Sequence, residues 1–538
     1  MLNRSFFNIL PFVFILFLSC SSGTEDNGGN VGPVDPPSEI IPTNLSVSIS
    51  IEGSDSSNPN GDGSGLVKFS ASATNAVSYS YRFGTGDSKN ASGAVEFTYS
   101  DVGSKTYNIK VLAYSSTNHF ISIDKTITVY VKPFSEPTIL ELLAGDSSKT
   151  WRINAAQDAH FSNGAEDKQY PTYWKAYSFS KSNSGFYDDE FTFNVNGTYQ
   201  HKTNNNVYGK GVHLNSDFGT TSSTTNSDGD IENYPLENYE TTFSVKKEDD
   251  LDKIEFGAKG FIGFYVGQQN YTIACSDENN ILIRTVDDSD VAWYLWLTSE
   301  TVSETPSKDQ FTNLVWSDDF DYTGAIDPDK WTHEVREQWY NNEVQSTTSS
   351  LDNSKVEDGK LKITAIKKSN GDYTSARIRT YKKLDFTYGR IDVKAKMPSK
   401  TNGVWPAIWL LGSNYESIDW PACGEIDIQE YAHTNSFNVQ STVHQPEGYG
   451  GQGDSHVSYD YNNIADEFHV YSLVWTKEAL TFYVDDKPHH MVGNSCALPF
   501  NWDFYLILNF AMGGDMGGDI DSSFTSDSME IDYVKVYQ

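Results

Sequence analysis

The sequence has few basic residues, few cysteines and no long apolar run. Lysine and arginine number 39 against 73 aspartates and glutamates, so the formal net charge at pH 7 is −34. A field of that sign repels nucleic acid and anionic lipid headgroups, which argues against nucleic-acid binding and weakly favours a neutral polymer as partner. The 538 residues exceed one ordinary domain, and several modules are therefore expected.

Four cysteines are too few for a disulfide framework in a chain of this length. One lies in the N-terminal segment, which leaves Cys275, Cys423 and Cys496. We expect buried free thiols, with a bridge between Cys423 and Cys496 as the alternative. No spacing of cysteine and histidine indicates zinc, and the pair His489–His490 lies in a polar stretch where we expect exposure to solvent.

The longest apolar run lies at the N-terminus. Arg4 precedes an apolar stretch over Phe6–Leu18, and small residues then surround Cys20. This order is typical of a secretory signal, and the run is too short for a permanent membrane span. Because Ser19–Ser21 resembles a bacterial lipobox, we predict a lipoprotein signal peptide at 1–20, with Cys20 lipidated. The protein would then be anchored to the outer membrane or cell surface of a Gram-negative bacterium; a plain signal peptide is the alternative.

Aromatic residues and turn residues are abundant, whereas helical patterns are scarce. Phe, Trp and Tyr make up 14% of the chain, and many segments alternate apolar with polar residues between Gly, Asn and Asp. We therefore predict an all-β protein. Residues 21–42 are rich in Gly, Asn, Asp and Pro and predict a flexible linker, and the short strands of 43–133 predict one small sandwich.

Two β-rich segments precede the last third of the chain. The motifs YRFGTGD at 81–87 and GSKTY at 103–107 resemble the polycystic-kidney-disease type of immunoglobulin-like domain, which implies a spacer or weak adhesion module at 43–133. Residues 134–300 predict a second sandwich or barrel with a type I′ hairpin turn at Asn196–Gly197. Its tryptophans either stack on sugar rings, which would make the region carbohydrate-binding, or fill the core, which is commoner. They are Trp151, Trp174, Trp293 and Trp296.

A polar linker at 301–312 leads to a segment that concentrates carboxylates. Glu425–Glu430 reads EIDIQE, with three acids in six residues. In a regular strand Glu425 and Asp427 share one face and Glu430 points away. One β-bulge between Asp427 and Glu430 returns all three to the same face, as bulges beside active sites do.

Two carboxylates that face one sugar ring are the minimum for glycoside hydrolysis. One attacks or activates water and the other protonates the leaving oxygen. A third acid between them separates their titrations, so that one stays protonated. The alternative, a solvated acidic strand, is disfavoured because like charges crowded on one face repel.

The segment and its surroundings resemble glycoside hydrolase family 16 over about 316–538. The motifs in family order are WSDDF at 316–320, NNEVQ at 341–345, RIRT at 377–380, GVWPAIW at 403–409 and MEIDYV at 529–534. The bulged strand next to WPA is similar to the laminarinases of that family. The resemblance implies a concave β-jelly-roll at 313–538 and a retaining endo-hydrolase of β-1,3-glucan.

Roles follow from the resemblance, position by position. Glu425 is the implied nucleophile, Asp427 its hydrogen-bonding assistant, and Glu430 the general acid and then base. The implied substrate-binding residues are Asn341, Arg377, Trp405, Trp409, Trp420 and His444. No cofactor is implied for catalysis.

Family members often carry a structural calcium, and the matching oxygen donors here are Asp319, the Gly359 carbonyl and Asp532. Asp319 stands where glutamate is usual, so its shorter side chain weakens or removes the site.

Two alternatives stay open. The same fold could act on mixed-linkage glucan or on a marine galactan such as agar or carrageenan. A non-hydrolytic surface glycan-binding lipoprotein is the other alternative, although such a protein would not need both Glu425 and Glu430. We expect the protein to be a monomer.

Overall fold

The structure is a computed structural model that describes residues 40–117, 119–132, 138–221, 223–461 and 463–538. Cys20 and most of the predicted linker therefore lie outside the described residues. The chain divides into two compact units on either side of the boundary between Glu136 and Pro137. Strands dominate both units, which confirms the all-β prediction. Within the described ranges no helix combines the length and apolar character that a membrane span requires.

The first unit is a two-sheet antiparallel sandwich. Its strands are β1 (Thr43–Ile51), β2 (Leu66–Thr74), β3 (Ser78–Arg82), β4 (Ser88–Ala91), β5 (Ala94–Thr98), β6 (Gly103–Tyr114) and β7 (Phe120–Val131). One sheet has the order β1-β2-β5 and the other β4-β3-β6-β7. Alternate side chains, among them Phe69, Tyr81 and Val111, are buried together in the core, as expected for a sandwich.

The second unit begins with a barrel, called here the middle region (residues 138–300). Its helices are α1 (Ile139–Ala144) and α2 (Gly211–Phe218). Its strands are β8 (Ser148–Ile153), β9 (Phe161–Ala165), β10 (Glu190–Asn194), β11 (Thr198–Lys202), β12 (Val207–Lys210), β13 (Asp230–Tyr234), β14 (Tyr239–Glu248), β15 (Leu251–Phe256), β16 (Asn270–Ser276), β17 (Asn280–Val286) and β18 (Val291–Thr298).

Neighbour pairing closes this barrel. The order is β8-β10-β11-β14-β15-β16-β17-β18, and β18 pairs back with β8 while β9 adds to β18. Within the described residues, closure gives each of the eight barrel strands a neighbour on both sides, and β9 is the one strand of this sheet with a single strand neighbour. Buried aromatic side chains, including Phe193, Tyr199 and Phe256, form its core.

The four tryptophans of the middle region differ in their exposure to solvent. Trp151 and Trp296 are buried in core clusters, Trp293 is partly buried and Trp174 is 42% exposed.

The hairpin between β10 and β11 forms, but its turn type is not the predicted one. A type I′ turn needs two residues with positive φ, and of the pair only Gly197 has one, at 85°.

The C-terminal region (residues 313–538) is a two-sheet jelly-roll sandwich whose described residues include the short helix α3 (Gly514–Gly517) and a 3-10 helix at Gly450–Gln452. Its strands are β19 (Leu314–Asp318), β20 (Thr332–His333), β21 (Gln345–Thr347), β22 (Ser354–Glu357), β23 (Lys360–Lys367), β24 (Tyr373–Ser375), β25 (Arg377–Arg379), β26 (Gly389–Lys396), β27 (Val404–Gly412), β28 (Glu425–Glu430), β29 (Val439–His444), β30 (Asp454–Ser458), β31 (His469–Trp475), β32 (Ala479–Val484), β33 (Lys487–Gly493), β34 (Phe504–Met512) and β35 (Ser526–Tyr537).

Seven of these strands form one sheet, in the order β20-β25-β34-β27-β28-β29-β30. The other sheet follows β21-β24-β23-β35-β26-β31-β32-β33, with β19 on β35 and β22 on β23. Apolar side chains of both sheets share one core. The face of the seven-stranded sheet that points away from this core is called the site face.

A disulfide joins the middle and C-terminal regions, and it corrects the cysteine prediction. Cys275 of β16 bonds to Cys496, with their Cα atoms 5.3 Å apart. Cys423 is free and buried, as expected. The expected free thiols at Cys275 and Cys496 are wrong, and so is the alternative bridge between Cys423 and Cys496. Cys275 and Cys496 are 221 positions apart in sequence, so their pairing depends on the packing of the middle region against the C-terminal region.

The prediction for His489–His490 is also wrong. Both residues lie in β33, and burial lowers the pKa of each to about 3. His489 Nε2 is 3.1 Å from the Ser441 hydroxyl, and the His490 ring stacks on His456. The polar stretch is therefore an inward-packed strand rather than an exposed turn.

Candidate active site

A β-bulge interrupts β28. On the β27 side, Trp409 pairs with Asp427 and Ile408 pairs with Gln429, so Ile428 is an extra residue without a partner. The pairing of β28 with β29 also shifts its register between Asp427 and Glu430. This is the bulge that the alternation argument predicts.

The bulge sets which side chains face the core and which face away. Ile426 and Ile428 pack into the shared core, so Glu425, Asp427 and Glu430 lie on the site face. All three carboxylates thus belong to one short stretch of one strand, as the prediction requires.

His444 of β29 lies beside two of these carboxylates. Its Nε2 is 3.2 Å from Asp427 Oδ2 and 3.7 Å from Glu425 Oε1. The ligand atoms of these three side chains all lie within 4.8 Å of one another, so the three groups form one compact polar cluster.

Glu430 is held by hydrogen bonds from both sides. The indole Nε1 of Trp405 donates to Oε1 at 3.2 Å, and the Thr442 hydroxyl donates to Oε2 at 3.3 Å. Asn435 Nδ2 donates to the backbone carbonyl of Glu430 at 2.9 Å. The side chain is buried and its orientation is fixed.

Burial governs the protonation of the three acids. It raises the pKa of Glu425 to about 8, with the Asp427 charge adding to the effect and His444 opposing it. Burial and the Glu430 charge raise the pKa of Asp427 well above its usual range, and burial also raises the pKa of Glu430. The cluster therefore keeps protons at neutral pH, which allows a protonated carboxyl to stand beside an ionised one.

Arg377 of β25 is oriented by an acid and two indoles. Its Nε lies 2.5 Å from Glu334 Oε2, and Arg379 Nη1 lies 2.8 Å from the other oxygen of that carboxylate. The guanidinium stands 4.5 Å from the Trp339 ring and 4.6 Å from the Trp409 ring. A planar cation held between two rings presents its remaining N–H groups in a fixed plane.

Two further predicted residues, Asn341 and Trp420, lie at the edges of the site. Asn341 is exposed in a turn, beside the indole of Trp405: a Cβ on Gly514 would meet both residues within 3.2 Å. Trp420 is 44% exposed and its ring lies 5.9 Å from the His444 ring. The structure thus places Trp405, Trp409 and His444 on the strands next to β28, and Arg377 three strands away on β25 of the same sheet.

Four residues of the site were not singled out from the sequence. They are Glu334, Trp339, Thr442 and Asn509, the last of which accepts a hydrogen bond from Trp409 Nε1 at 2.6 Å. Asn509 could have been found from the sequence, because it is the one polar amide in the apolar strand FYLILNFAM. Another signal was the RIR motif, where two arginines on one strand face need a counter-charge.

The three predicted calcium ligands lie on the ten-stranded sheet. Asp319 follows β19, Gly359 is in the turn between β22 and β23, and Asp532 is in β35, which pairs with both β19 and β23. Each carboxylate already contacts a lysine: Lys535 Nζ is 3.1 Å from Asp319 and Lys394 Nζ is 2.7 Å from Asp532. The oxygen donors suit calcium, but an ion would have to displace both ammonium groups.

Comparison with known proteins places this geometry in a family. The model for Glycosyl hydrolases family 16 matches residues 339–535. A beta-glucanase from Rhodothermus marinus is 37% identical over 257 residues, which cover 44% of this chain and 88% of that protein. A glucan endo-1,3-beta-glucosidase from Niallia circulans is 36% identical and the match covers 42% of this chain but only 38% of that longer protein. A crystal structure from Zobellia galactanivorans, in complex with laminaritriose and laminaritetraose, is 42% identical and matches 42% of this chain and 100% of that chain with a TM-score of 0.39.

Proposed function

Because the chain belongs to glycosyl hydrolases family 16 and is a glycoside hydrolase, we propose that it is a retaining endo-glycosidase that cuts β-1,3-glucan of the laminarin type. The observation that carries this proposal is the carboxylate face of β28, which the bulge at Ile428 assembles beside His444. Relatives named beta-glucanase and glucan endo-1,3-beta-glucosidase support the choice of a β-glucan.

In the proposed mechanism Glu425 attacks the anomeric carbon while Glu430 gives its proton to the departing glycosidic oxygen. A covalent glycosyl-enzyme forms and the leaving sugar chain departs with that proton. Water then attacks the same carbon as Glu430 removes one of its protons, and Glu425 leaves as a carboxylate. Two inversions retain the configuration.

The pKa shifts bear on the protonation state that each role requires. Burial and the Glu430 charge raise the pKa of Asp427 well above its usual range, so this residue keeps a proton at neutral pH. Glu425 attacks in its ionised form, and because its pKa is about 8 it must first release its proton. The Trp405 indole orients Glu430 toward the glycosidic oxygen.

Substrate binding is proposed to run across the strands of the site face. Arg377 lies on β25, two strands beyond β27, and would hydrogen-bond sugar hydroxyls on the non-reducing side together with Asn341. Trp409 and Trp420 would stack on the apolar faces of sugar rings.

The test is reducing-end release by the purified protein from laminarin, barley mixed-linkage glucan, agarose and κ-carrageenan, with Glu425→Ser as control. We expect release from laminarin at least tenfold faster than from the other glycans, and none in the control. Release from a galactan alone would overturn the substrate, and binding of laminarin without release would favour the non-hydrolytic alternative.

Rescue by azide distinguishes the two glutamates. Glu425→Ser should recover activity with azide as external nucleophile and yield an α-glycosyl azide, because only the nucleophile is missing. Glu430→Ala should retain activity on a substrate with an acidic leaving group, which needs no proton. An exchanged outcome would reverse the assigned roles.

The proposal includes a weak structural calcium held by Asp319, the Gly359 carbonyl and Asp532. Competition from two lysines and the short Asp319 side chain favour an affinity of about 10⁻⁴–10⁻³ M, the range of extracellular sites. At about ten times the dissociation constant, calcium should raise the melting temperature by an amount equivalent to about 1.4 kcal/mol. Asp532→Asn should remove that response, and a response that persists in this variant would exclude the site.

We also propose export and lipid anchoring at Cys20, with the first unit as a spacer of polycystic-kidney-disease type on a monomeric enzyme. The disulfide between Cys275 and Cys496 supports export, because such bonds persist in oxidising compartments. Mass spectrometry of the N-terminal peptide from the membrane fraction tests the anchor. A diacylglycerol-modified Cys20, absent from a Cys20→Ala variant, is the expected result, and an unmodified secreted protein would contradict it.

A further inference from the structure

A loop of the middle region reaches the C-terminal region next to the site face. Residues 166–170, called here the reaching loop, follow β9. The backbone carbonyl of Lys168 accepts hydrogen bonds from Arg284 Nε at 3.0 Å and from the Tyr294 hydroxyl at 2.7 Å. Arg284 also donates to the Glu166 carbonyl and is buried in the barrel wall. The barrel therefore fixes the backbone of the reaching loop.

Two side chains of the reaching loop hold one acid of the C-terminal region. Lys168 Nζ lies 2.9 Å from Glu447 Oε2, and the Tyr170 hydroxyl donates to the same oxygen at 2.8 Å. Gln445 Nε2 donates to that hydroxyl at 3.3 Å. Next to them, Pro171 packs so closely on Gly493 that a Cβ there would lie 2.2 Å away.

Glu447 belongs to the loop between β29 and β30, called here the rim loop (residues 445–453). The rim loop is closed by hydrogen bonds between Gln445 and Gly448 at 2.9 and 3.0 Å. It begins directly after His444, which is 3.2 Å from Asp427. Holding Glu447 therefore fixes the loop that continues from the site.

The rim loop carries an exposed aromatic ring to the edge of the site. Tyr449 is half exposed and meets the half-exposed Trp420 edge to face at 5.4 Å. The pair lies on the β29 side of β28, whereas Arg377 lies on the opposite side, beyond β27 and β34. If Arg377 binds the non-reducing side, as proposed above, this pair faces the leaving-group side of the cut.

We propose that the middle region is part of the substrate-binding machinery: Lys168 and Tyr170 are positioning residues that hold the rim loop, so that Trp420 and Tyr449 bind glucan units on the leaving-group side. This inference rests on the proposed function for its substrate. Aromatic faces at an angle suit successive sugar rings, which present apolar C–H surfaces. An anchored loop also binds them with less loss of conformational entropy than a free one.

The test compares cleavage of laminarihexaose labelled at its reducing end by the full-length wild type and a Lys168→Met/Tyr170→Phe variant. The ratio of labelled products reports how many sugars occupied the leaving-group side, and it does not depend on the fraction of folded enzyme. We expect cuts that release three or more sugars from the reducing end to become about threefold rarer in the variant. Tyr449→Ala should give the same shift.

Lys477→Met is the matched control, because Lys477 makes another ion pair between the two regions, at 2.7 Å from Asp277. This variant should keep the wild-type ratio. A wild-type ratio in the Lys168→Met/Tyr170→Phe variant, or an equal shift in the control, would overturn the inference while the wild type still cuts the hexaose. A wild type that leaves the hexaose intact would instead overturn the proposed function.

Discussion

Glu425 destabilises the folded protein at the pH where it is expected to act. The pKa of a glutamate in an unfolded chain is about 4.3, whereas burial raises the pKa of Glu425 in the folded protein to about 8. Between these values the folded state binds more protons, so the contribution to stability falls as pH rises and stays low above pH 8. Glu425→Gln should therefore raise the free energy of unfolding at pH 8 by about 2–4 kcal/mol, which a higher melting temperature would report. The gain should vanish at pH 4, and an equal gain at both pH values would contradict the assigned cause.

Glu334 should matter for substrate affinity although it was not singled out from the sequence. It neutralises Arg377 and Arg379 together, so Glu334→Gln keeps the shape but leaves both guanidinium groups without a counter-charge. We expect KM for laminarin to rise about tenfold, equivalent to about 1.4 kcal/mol, with kcat within about twofold. The exposed Glu337 of the same segment supplies the control variant Glu337→Gln, which should change neither constant. A fall in kcat with unchanged KM would show that Arg377 acts elsewhere.

At the scale of residues, the sequence predicts the site residues that lie close to one another in the chain. Glu425, Asp427 and Glu430 are close in sequence and share one strand, so their clustering follows from alternation and one bulge. Glu334 is different: it is 43 positions from its partner Arg377. Only the pairing of β20 with β25 brings them together, which no local pattern reveals.

The rim loop should be sensitive to a single methyl group where it passes His444. A Cβ on Gly453 would lie 2.8 Å from His444 Nδ1, and the glycine has an ordinary φ of −57°. Gly453→Ala should therefore push the imidazole from Asp427 without straining the backbone, and lower kcat about tenfold with a melting temperature near that of the wild type. In the same loop Gly451 has no atom within 4 Å of its Cβ position, so Gly451→Ala should be silent. Equal effects of the two substitutions would point to loop flexibility instead.

At the scale of elements, alternation predicts strands better than it predicts where they pack. The β28 bulge follows from three acids that must share a face, and the β10–β11 hairpin follows from its turn residues. The turn itself differs because three residues, rather than two, connect the strands. His489 and His490 look like surface residues because their neighbours are polar, yet β33 turns them toward β30 and its own sheet.

At the scale of the whole molecule, the sequence predicts β-rich regions but not how two of them pack. Asp158 of the middle region is buried and accepts a hydrogen bond from the Thr481 hydroxyl at 2.9 Å, 323 positions away. Ala159, Ala479 and Met491 form a small apolar cluster at the same contact. These residues have no distinguishing local pattern, and their burial depends on a partner surface elsewhere in the chain.

The disulfide between Cys275 and Cys496 should stabilise the protein without contributing to catalysis. It closes a segment of 221 residues, and bonds of this kind contribute about 2–4 kcal/mol, mainly by restricting the unfolded chain. Reduction should lower the melting temperature by several degrees. The Cys275→Ala/Cys496→Ala variant should have the melting temperature of the reduced wild type, and reductant should not change it. Because Asp158, Lys168 and their partners still hold the two regions together, the product ratio from laminarihexaose at 25 °C should stay unchanged. A changed ratio would mean that the covalent link, rather than the non-covalent contact surface, positions the rim loop.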